Sequence, residues 1–278
     1  MRASRIKRKL KCDEPVLITA LHLIDASLFE LTSLMGFDGI WMDMEHHSYS
    51  LETAAQLMRA ARVGSSDILI RPAKGEFMAM GRMLEAGANA IMYPRCDDAK
   101  EAAEVVRWAK FAPLGTRGFD GAGADMPYCS MSVRDYISQA NDETVIIIQL
   151  EDQHAVDAAD AIAAVDGVDA LMVGIADYSI LCGVPGQFDH PKVQDAINHV
   201  AQAAKRQGKH WGTPSMNAEH CRRLMEMGAR VHFHGADIVA ILAALSKIQR
   251  EFGPLGFEFT NRLTSAGGNY ADSLHAGS

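Results

Sequence analysis

Short apolar runs alternate with longer stretches of helical period along almost the whole chain. The runs read as strands at 16–21, 39–44, 67–71, 90–94, 145–150, 170–175, 210–213 and 230–234. Helical spacing and composition fill most of the gaps, at 26–34, 51–61, 77–85, 99–109, 155–164, 193–207, 218–227 and 238–252. Several strands are entered through a glycine, as in Met-Gly-Phe-Asp-Gly (35–39) and Met-Gly-Ala-Arg (227–230). Glycine just past a helix adopts the left-handed closing conformation without a Cβ penalty. Eight strand–helix units favour a closed parallel sheet over an open one. The expected fold is therefore an α/β TIM-type (β/α)8 barrel forming one domain over 1–278.

Three segments lie outside the minimal barrel. Residues 1–12 read as an amphipathic helix with Ile6 and Leu10 on one side. Residues 112–142 insert a long Gly-rich rim loop after strand four, followed by a helix; long loops at this rim are usually functional. After Gly253 the chain turns Gly/Ser/Asn-rich, so 254–278 is expected to be an extra C-terminal segment, partly disordered or docked on a partner subunit.

Composition narrows the class. Hydrophobic residues make up 48% and charged residues 22%, ordinary for a soluble globular enzyme. A net charge of −8 argues against non-specific nucleic-acid binding, and no apolar run reaches membrane-spanning length. The five cysteines are dispersed and without CxxC spacing, which points away from disulfides and zinc and towards a reducing compartment. The basic start, 1–11, resembles the head of a signal peptide but runs into Cys-Asp-Glu-Pro instead of an apolar stretch. A cytoplasmic enzyme is the expectation.

Candidate chemistry collects at strand ends, on the rim where barrel active sites are built. Glu151 follows Val-Ile-Ile-Ile-Gln-Leu, and Asp177 follows Ala-Leu-Met-Val-Gly-Ile-Ala. Two such carboxylates suit a hard divalent cation that keeps water or substrate oxygens as its other ligands. The alternative is a pair of solvated loop acids. Strand two ends Asp43-Met-Glu45-His46, with both acids on one strand face and His46 just beyond, where a general base is useful. Solvent exposure of the His46-His47 pair is the competing reading. Arg71 terminates a buried strand, so it either stabilises an oxyanion or pairs with Asp43 or Glu45. Lys74 reads as a solvated loop residue.

All ten lysines fall outside the strand interiors, which disfavours Schiff-base chemistry. His232 and His234 share a strand face but lack a nearby acid, and read as barrel lining. The scattered methionines read as core filler. The Gly-rich 115–123 segment has neither a Walker lysine nor GxGxxG spacing, so nucleotide binding is disfavoured.

In order along the chain, these pieces resemble the HpcH/HpaI aldolase family, the metal-dependent class II pyruvate aldolases of the phosphoenolpyruvate/pyruvate-type barrels. The matching motifs are Gly-Phe-Asp…Asp-Met-Glu-His (36–46), Ile-Arg-Pro (70–72), Leu-Glu-Ala-Gly-Ala (84–88) and Pro-Leu-Gly-Thr-Arg-Gly (113–118). Gln-Leu-Glu (149–151), Gly-Ile-Ala-Asp (174–177) and Gly-Ala-Asp (235–237) complete the series.

The resemblance implies that Glu151 and Asp177 bind Mg2+, Mn2+ or Co2+. It implies that Gln149, the backbone at Ala176 and the Asp177 region hold the pyruvate moiety, that Arg71 stabilises the transition state, and that His46 takes the C4-hydroxyl proton. It also implies a homo-oligomer, hexameric in relatives, and a small oxo-acid substrate. Glu85 stands where relatives carry the Asp that supports the histidine, often across a subunit boundary. Tyr178 would lie beside the metal. Asp120, Asp125 and Tyr128 replace the small and basic residues of relatives that accept acidic semialdehydes.

Three functions follow as expectations: reversible aldol cleavage of a 4-hydroxy-2-oxo acid to pyruvate and an aldehyde, an enolate-condensing synthase or transferase, or a non-catalytic barrel. The four rim residues His46, Arg71, Glu151 and Asp177 weigh against the last. The loop aspartates predict neutral hydroxyaldehydes over succinic semialdehyde, unless Arg95 or one of the strand-eight histidines neutralises the loop or binds an acid directly.

Overall fold

A computed structural model describes residues 3–263 of the chain. It opens with α1 (Arg5–Lys11), β1 (Val16–Leu21), α2 (Ala26–Leu34), β2 (Gly39–Asp43) and α3 (Leu51–Ala60). Next come β3 (Asp67–Arg71), α4 (Phe77–Ala86), β4 (Ala90–Tyr93), α5 (Ala99–Ala109) and α6 (Val133–Glu143). Then follow β5 (Val145–Leu150), α7 (Gln153–Asp157), α8 (Ala159–Ala163), β6 (Ala170–Val173) and α9 (Ile175–Leu181). The chain continues through α10 (Pro191–Arg206), β7 (His210–Pro214), α11 (Ala218–Glu226), β8 (Val231–Ala236) and α12 (Asp237–Phe252). All strand pairs are parallel, and β8 closes on β1, so the expected eight-stranded barrel is the observed fold.

Strand alternation explains the two cores. Val16, Ile18, Trp41, Leu69, Ala90, Met92, Val145, Ile147, Ala170, Met172, Val231 and Phe233 point inward and fill the barrel. The alternate positions pack outward against the helices. Ile6 and Leu10 of α1 join the inner cluster and plug the N-terminal mouth. Gly39 makes room for this plug, since a Cβ there would stand 3.0 Å from Ile6 Cδ1. The plug is fastened through Asp67, which accepts from Ser4 Oγ at 2.6 Å and from the Ile6 amide at 2.8 Å.

Helices start close behind the strands because polar caps satisfy their first amides. Asp25, Ser50, Asp98, Ser132, Asp152 and Asn217 each accept from an amide of the first turn. With the N-terminal mouth plugged, the cavity lies at the C-terminal rim.

Several expectations need correction. The helix read at 155–164 is broken into α7 and α8, and β6 stops at Val173 instead of 175. The residues that follow β6 form α9, so Asp177 sits in a first helical turn and not on a strand end. The long loop read in the rim insertion is packed. Phe111, Met126, Tyr136 and Ala140 form their own buried cluster, with the Arg117 guanidinium 4.6 Å over the Phe111 ring. The tail read at 254–278 is described only to residue 263, and its remainder lies outside the described residues.

Candidate active site

The inward series of each strand, carried two residues further, supplies the polar rim. Trp41 leads to Asp43, Leu69 to Arg71, Ile147 to Gln149 and then Glu151, and Ile18 and Ala20 to His22. These side chains line a cavity of about 740 Å³ together with His46, His47, Asp177, His234 and the 174–177 backbone. Its remaining lining is largely apolar, including Leu23, Met172, Met216, Phe233, Ile238 and Val239.

Arg71 is clamped. Its Nε and Nη2 donate to the two oxygens of Asp43 at 2.9 and 2.7 Å, and Glu45 Oε2 lies 3.2 Å from Nε. The guanidinium rests 4.7 Å over the Trp41 ring, while Nη1 points to Gln149 Oε1 at 3.4 Å. Burial alone would raise the Asp43 carboxyl, but the hydrogen bonds and charge of Arg71 outweigh it and hold it below its ordinary value. The structural pair and the cavity-facing cation are thus one arrangement. Two acids fix the guanidinium edge, and Nη1 is left towards the cavity.

Glu151 is buried at the floor of the rim. Its Oε1 accepts from Gln149 Nε2 at 2.7 Å and its Oε2 from the Arg95 amide at 2.9 Å. Burial, then the charge of nearby Asp177, pushes its carboxyl up to about 7. Asp177 Oδ1 accepts from Arg95 Nη2 at 2.7 Å, and Arg95 Nε is 3.5 Å from Glu45 Oε1. Arg95 holds this bridge from a left-handed backbone position, φ +49°.

The site therefore gathers negative charge where a cation is favoured, and two hard carboxylates match magnesium or manganese. Among the described residues no three His, Cys, Asp or Glu form a ready metal cage. A cation held by Glu151 and Asp177 would complete its shell with water or substrate oxygens, the open set that the residue types suggested.

Other expected residues fall differently. His46 lines the cavity with a half-exposed ring, its Nε2 3.7 Å from Glu45 Oε2. Glu85 does not reach it within this chain. It lies on α4 outside the cavity lining, near Arg117 and Asp120, where burial raises its carboxyl against the pull of Arg117. Tyr178 turns away from the acids and donates to Gln153 Oε1 at 2.6 Å. Asp125 is buried under the rim insertion, accepting from Tyr136 Oη at 2.7 Å, and neither it nor Asp120 lines the cavity. Neither aspartate therefore presents its charge to the cavity from within this chain. Lys74 is no free loop residue either, since it pairs with Asp97 at 2.7 Å.

The two strand-eight histidines separate. His232 is buried against Ser215 Oγ at 3.1 Å, while His234 lines the cavity. His22 and Asp237 were missed as a pair. The signal for His22 was present, because it continues the inward series Val16, Ile18, Ala20 past the end of β1. Nothing local signals that Asp237 stands behind it.

The model of the HpcH/HpaI aldolase/citrate lyase family matches residues 21–244. The hydroxypyruvate/pyruvate aldolase of Pseudomonas aeruginosa is 30% identical over 249 residues, covering 90% of this chain and 92% of its own. The 5-keto-4-deoxy-D-glucarate aldolase of Enterobacter sp. (strain 638) is 33% identical over 223 residues, covering 80% and 86%. The crystal structure of an HpcH/HpaI aldolase from Desulfitobacterium hafniense superposes with a TM-score of 0.84 at 30% identity, over 92% of this chain and 98% of that one. The chain belongs to the HpcH/HpaI aldolase/citrate lyase family, and it is a carbon–carbon lyase. Among the described residues no helix is long and apolar enough to cross a membrane.

Proposed function

We propose that the protein catalyses the reversible aldol cleavage of a 4-hydroxy-2-oxo acid to pyruvate and an aldehyde, with a divalent cation held by Glu151 and Asp177. The observation that carries this reading is the convergence of the clamped Arg71 with Gln149, Glu151 and Asp177 on one cavity. A bound cation would supply Lewis-acid polarisation of the keto group.

The protein's own groups do the rest. Arg71 presents Nη1 towards the oxygen on which enolate charge develops. Its other edge is fixed by Asp43, so little reorganisation accompanies the reaction. Gln149 is held between Arg71 and Glu151 and orients the pyruvate half. The backbone around Ala176, at the start of α9, lines the same wall and faces the carboxylate end. His46, on the open side, takes the C4-hydroxyl proton during cleavage and returns it during condensation.

Exchange of the pyruvate C3 protons in deuterated water tests the enolate step without an aldehyde. The exchange should stop on chelation and in Glu151→Gln. It should fall about 10²–10³-fold in Arg71→Ala, the typical cost of one oxyanion donor. Exchange that survives both chelation and loss of Arg71 would overturn the reading. Condensation with a second oxo acid, and with no aldehyde, would assign the synthase alternative instead.

A further inference from the structure

His22 carries a fixed tautomer. Its Nδ1 lies 2.9 Å from Asp237 Oδ1, and the Asp237 carboxylate also accepts from the backbone amides of His22, Leu23 and Ile238 at 2.8–3.0 Å. The Asp237 side chain is fully buried. Burial alone would raise its carboxyl, yet the His22 ring and these amides outweigh burial and hold it below the ordinary range. An ionised carboxylate only accepts, so the His22 hydrogen resides on Nδ1. In the neutral ring Nε2 then offers a lone pair, and among the described residues no side chain or amide takes it. The ring stands edge-on to His47, centroids 4.7 Å apart.

His234 is fixed in the same way by an independent contact. Its Nδ1 lies 2.6 Å from the carbonyl oxygen of Ser215, which can only accept. The His234 hydrogen therefore also resides on Nδ1, and in the neutral ring Nε2 is again the acceptor. Both histidines line the cavity, from the ends of the paired strands β1 and β8.

Position in the closed barrel gives this pair its role. In an eight-membered ring β1 lies opposite β5, whose end carries Gln149 and Glu151. A pyruvate half held on the β3, β5 and β6 side directs the other half of the substrate towards β1 and β8. Apart from His47 and Ser215, the lining there is apolar, with Leu23, Phe233, Ile238 and Val239.

We propose that His22 and His234 form the subsite for the aldehyde half, and that their bare Nε2 atoms select an aldehyde bearing hydroxyl groups. This rests on the aldol reading above and names its acceptor class. A lone pair binds only a donor. A hydroxyl supplies one, an alkyl chain supplies none, and a carboxylate brings lone pairs of its own.

The test compares pyruvate condensation with matched aldehydes: glycolaldehyde against acetaldehyde, glyceraldehyde against propionaldehyde, and succinic semialdehyde as the acid. In the wild-type protein each hydroxyaldehyde should exceed its deoxy partner in kcat/KM by about tenfold or more, the value of one well-placed hydrogen bond at a partly buried site. His22→Leu and His234→Leu should each shrink that ratio, mainly through KM of the hydroxyaldehyde. His22→Gln retains an acceptor oxygen and should recover part of it, which a purely structural role for His22 would not produce. Equal kcat/KM within each pair, ratios unchanged in both leucine variants, or succinic semialdehyde as the best acceptor would each overturn the proposal. If no aldehyde of any kind condenses, the aldol reading falls and the subsite with it.

Discussion

Arg95 and Asp177 are paired across the active-site rim, Nη2 to Oδ1 at 2.7 Å, while the Arg95 amide holds Glu151. One residue thus occupies both carboxylates of the proposed cation site, the first with its side chain and the second with its backbone. The two contacts separate cleanly by substitution, because glycine keeps the amide and tolerates φ +49° without the Cβ penalty that arginine bears.

Arg95→Gly should therefore bind divalent cations more tightly. The pair is 44% and 28% exposed, which limits its worth to roughly 1 kcal/mol, or about a fivefold fall in the Mn2+ dissociation constant. Titration calorimetry or Mn2+ magnetic resonance reads this directly. Affinity that stays level or weakens would mean that Arg95 orients Asp177 for the metal instead of competing with it.

Gly174 offers a probe that alters no ligand. A Cβ built there would stand 2.6 Å from both Cγ and Oε1 of Glu151 and 2.8 Å from Gln149 Nε2. Gly174→Ala must push both side chains aside, and misplacement by about an ångström typically costs on the order of 10²-fold in rate. We expect a loss of that size in kcat/KM together with weakened Mn2+ binding. Wild-type kinetics in this variant would show that the Glu151–Gln149 placement is not critical.

Lys110 provides a pH signature for the rim insertion. Its buried Nζ donates to the carbonyl oxygens of Asn141 and Thr144 at 2.7 and 2.5 Å, and burial pushes its pKa down to about 8. An unfolded lysine keeps its proton to about 10.4. Above pH 8 the unfolded chain thus binds more protons than the folded one, and stability rises with pH. Lys110 by itself should contribute about 1 kcal/mol of gain between pH 8 and 9. Burial raises the Cys96 thiol to about 12, so this group removes stability as the pH rises through its ordinary range near 9 and partly offsets Lys110 within the same window. Urea unfolding at pH 8 and 9 measures the slope, and Lys110→Met should flatten it. An equal slope in the variant would trace the effect to other groups.

Much of the barrel was legible because its signals are local. A strand turns its side chains with period two whatever surrounds it, so Leu69 inside implies Arg71 inside, and Ile147 implies Gln149 and Glu151. The shared face of Ile6 and Leu10 was likewise written in the spacing of one short helix, whereas its seat in the barrel mouth was not. The strand six boundary was not legible in this way. The apolar run Val-Gly-Ile-Ala serves a strand end or a buried helix start equally well, and the α9 turn at Gly174 decided that Asp177 rides on a helix.

The sequence by itself determined which residue types stand at the rim and which way each strand presents them, since both depend only on backbone geometry a few residues long. The tertiary structure decided which of them meet. Asp43 had to arrive beside Arg71 through the pairing of β2 with β3 before the cation could be clamped. Glu85 and Asp125 were turned to the outer insertion, outside the cavity lining of this chain. His22 and Asp237 lie at opposite ends of the barrel sequence. Only the closure of β8 on β1 brings them within 2.9 Å, because a partner so distant along the chain is chosen by the ring of strands and not by anything beside it in the sequence.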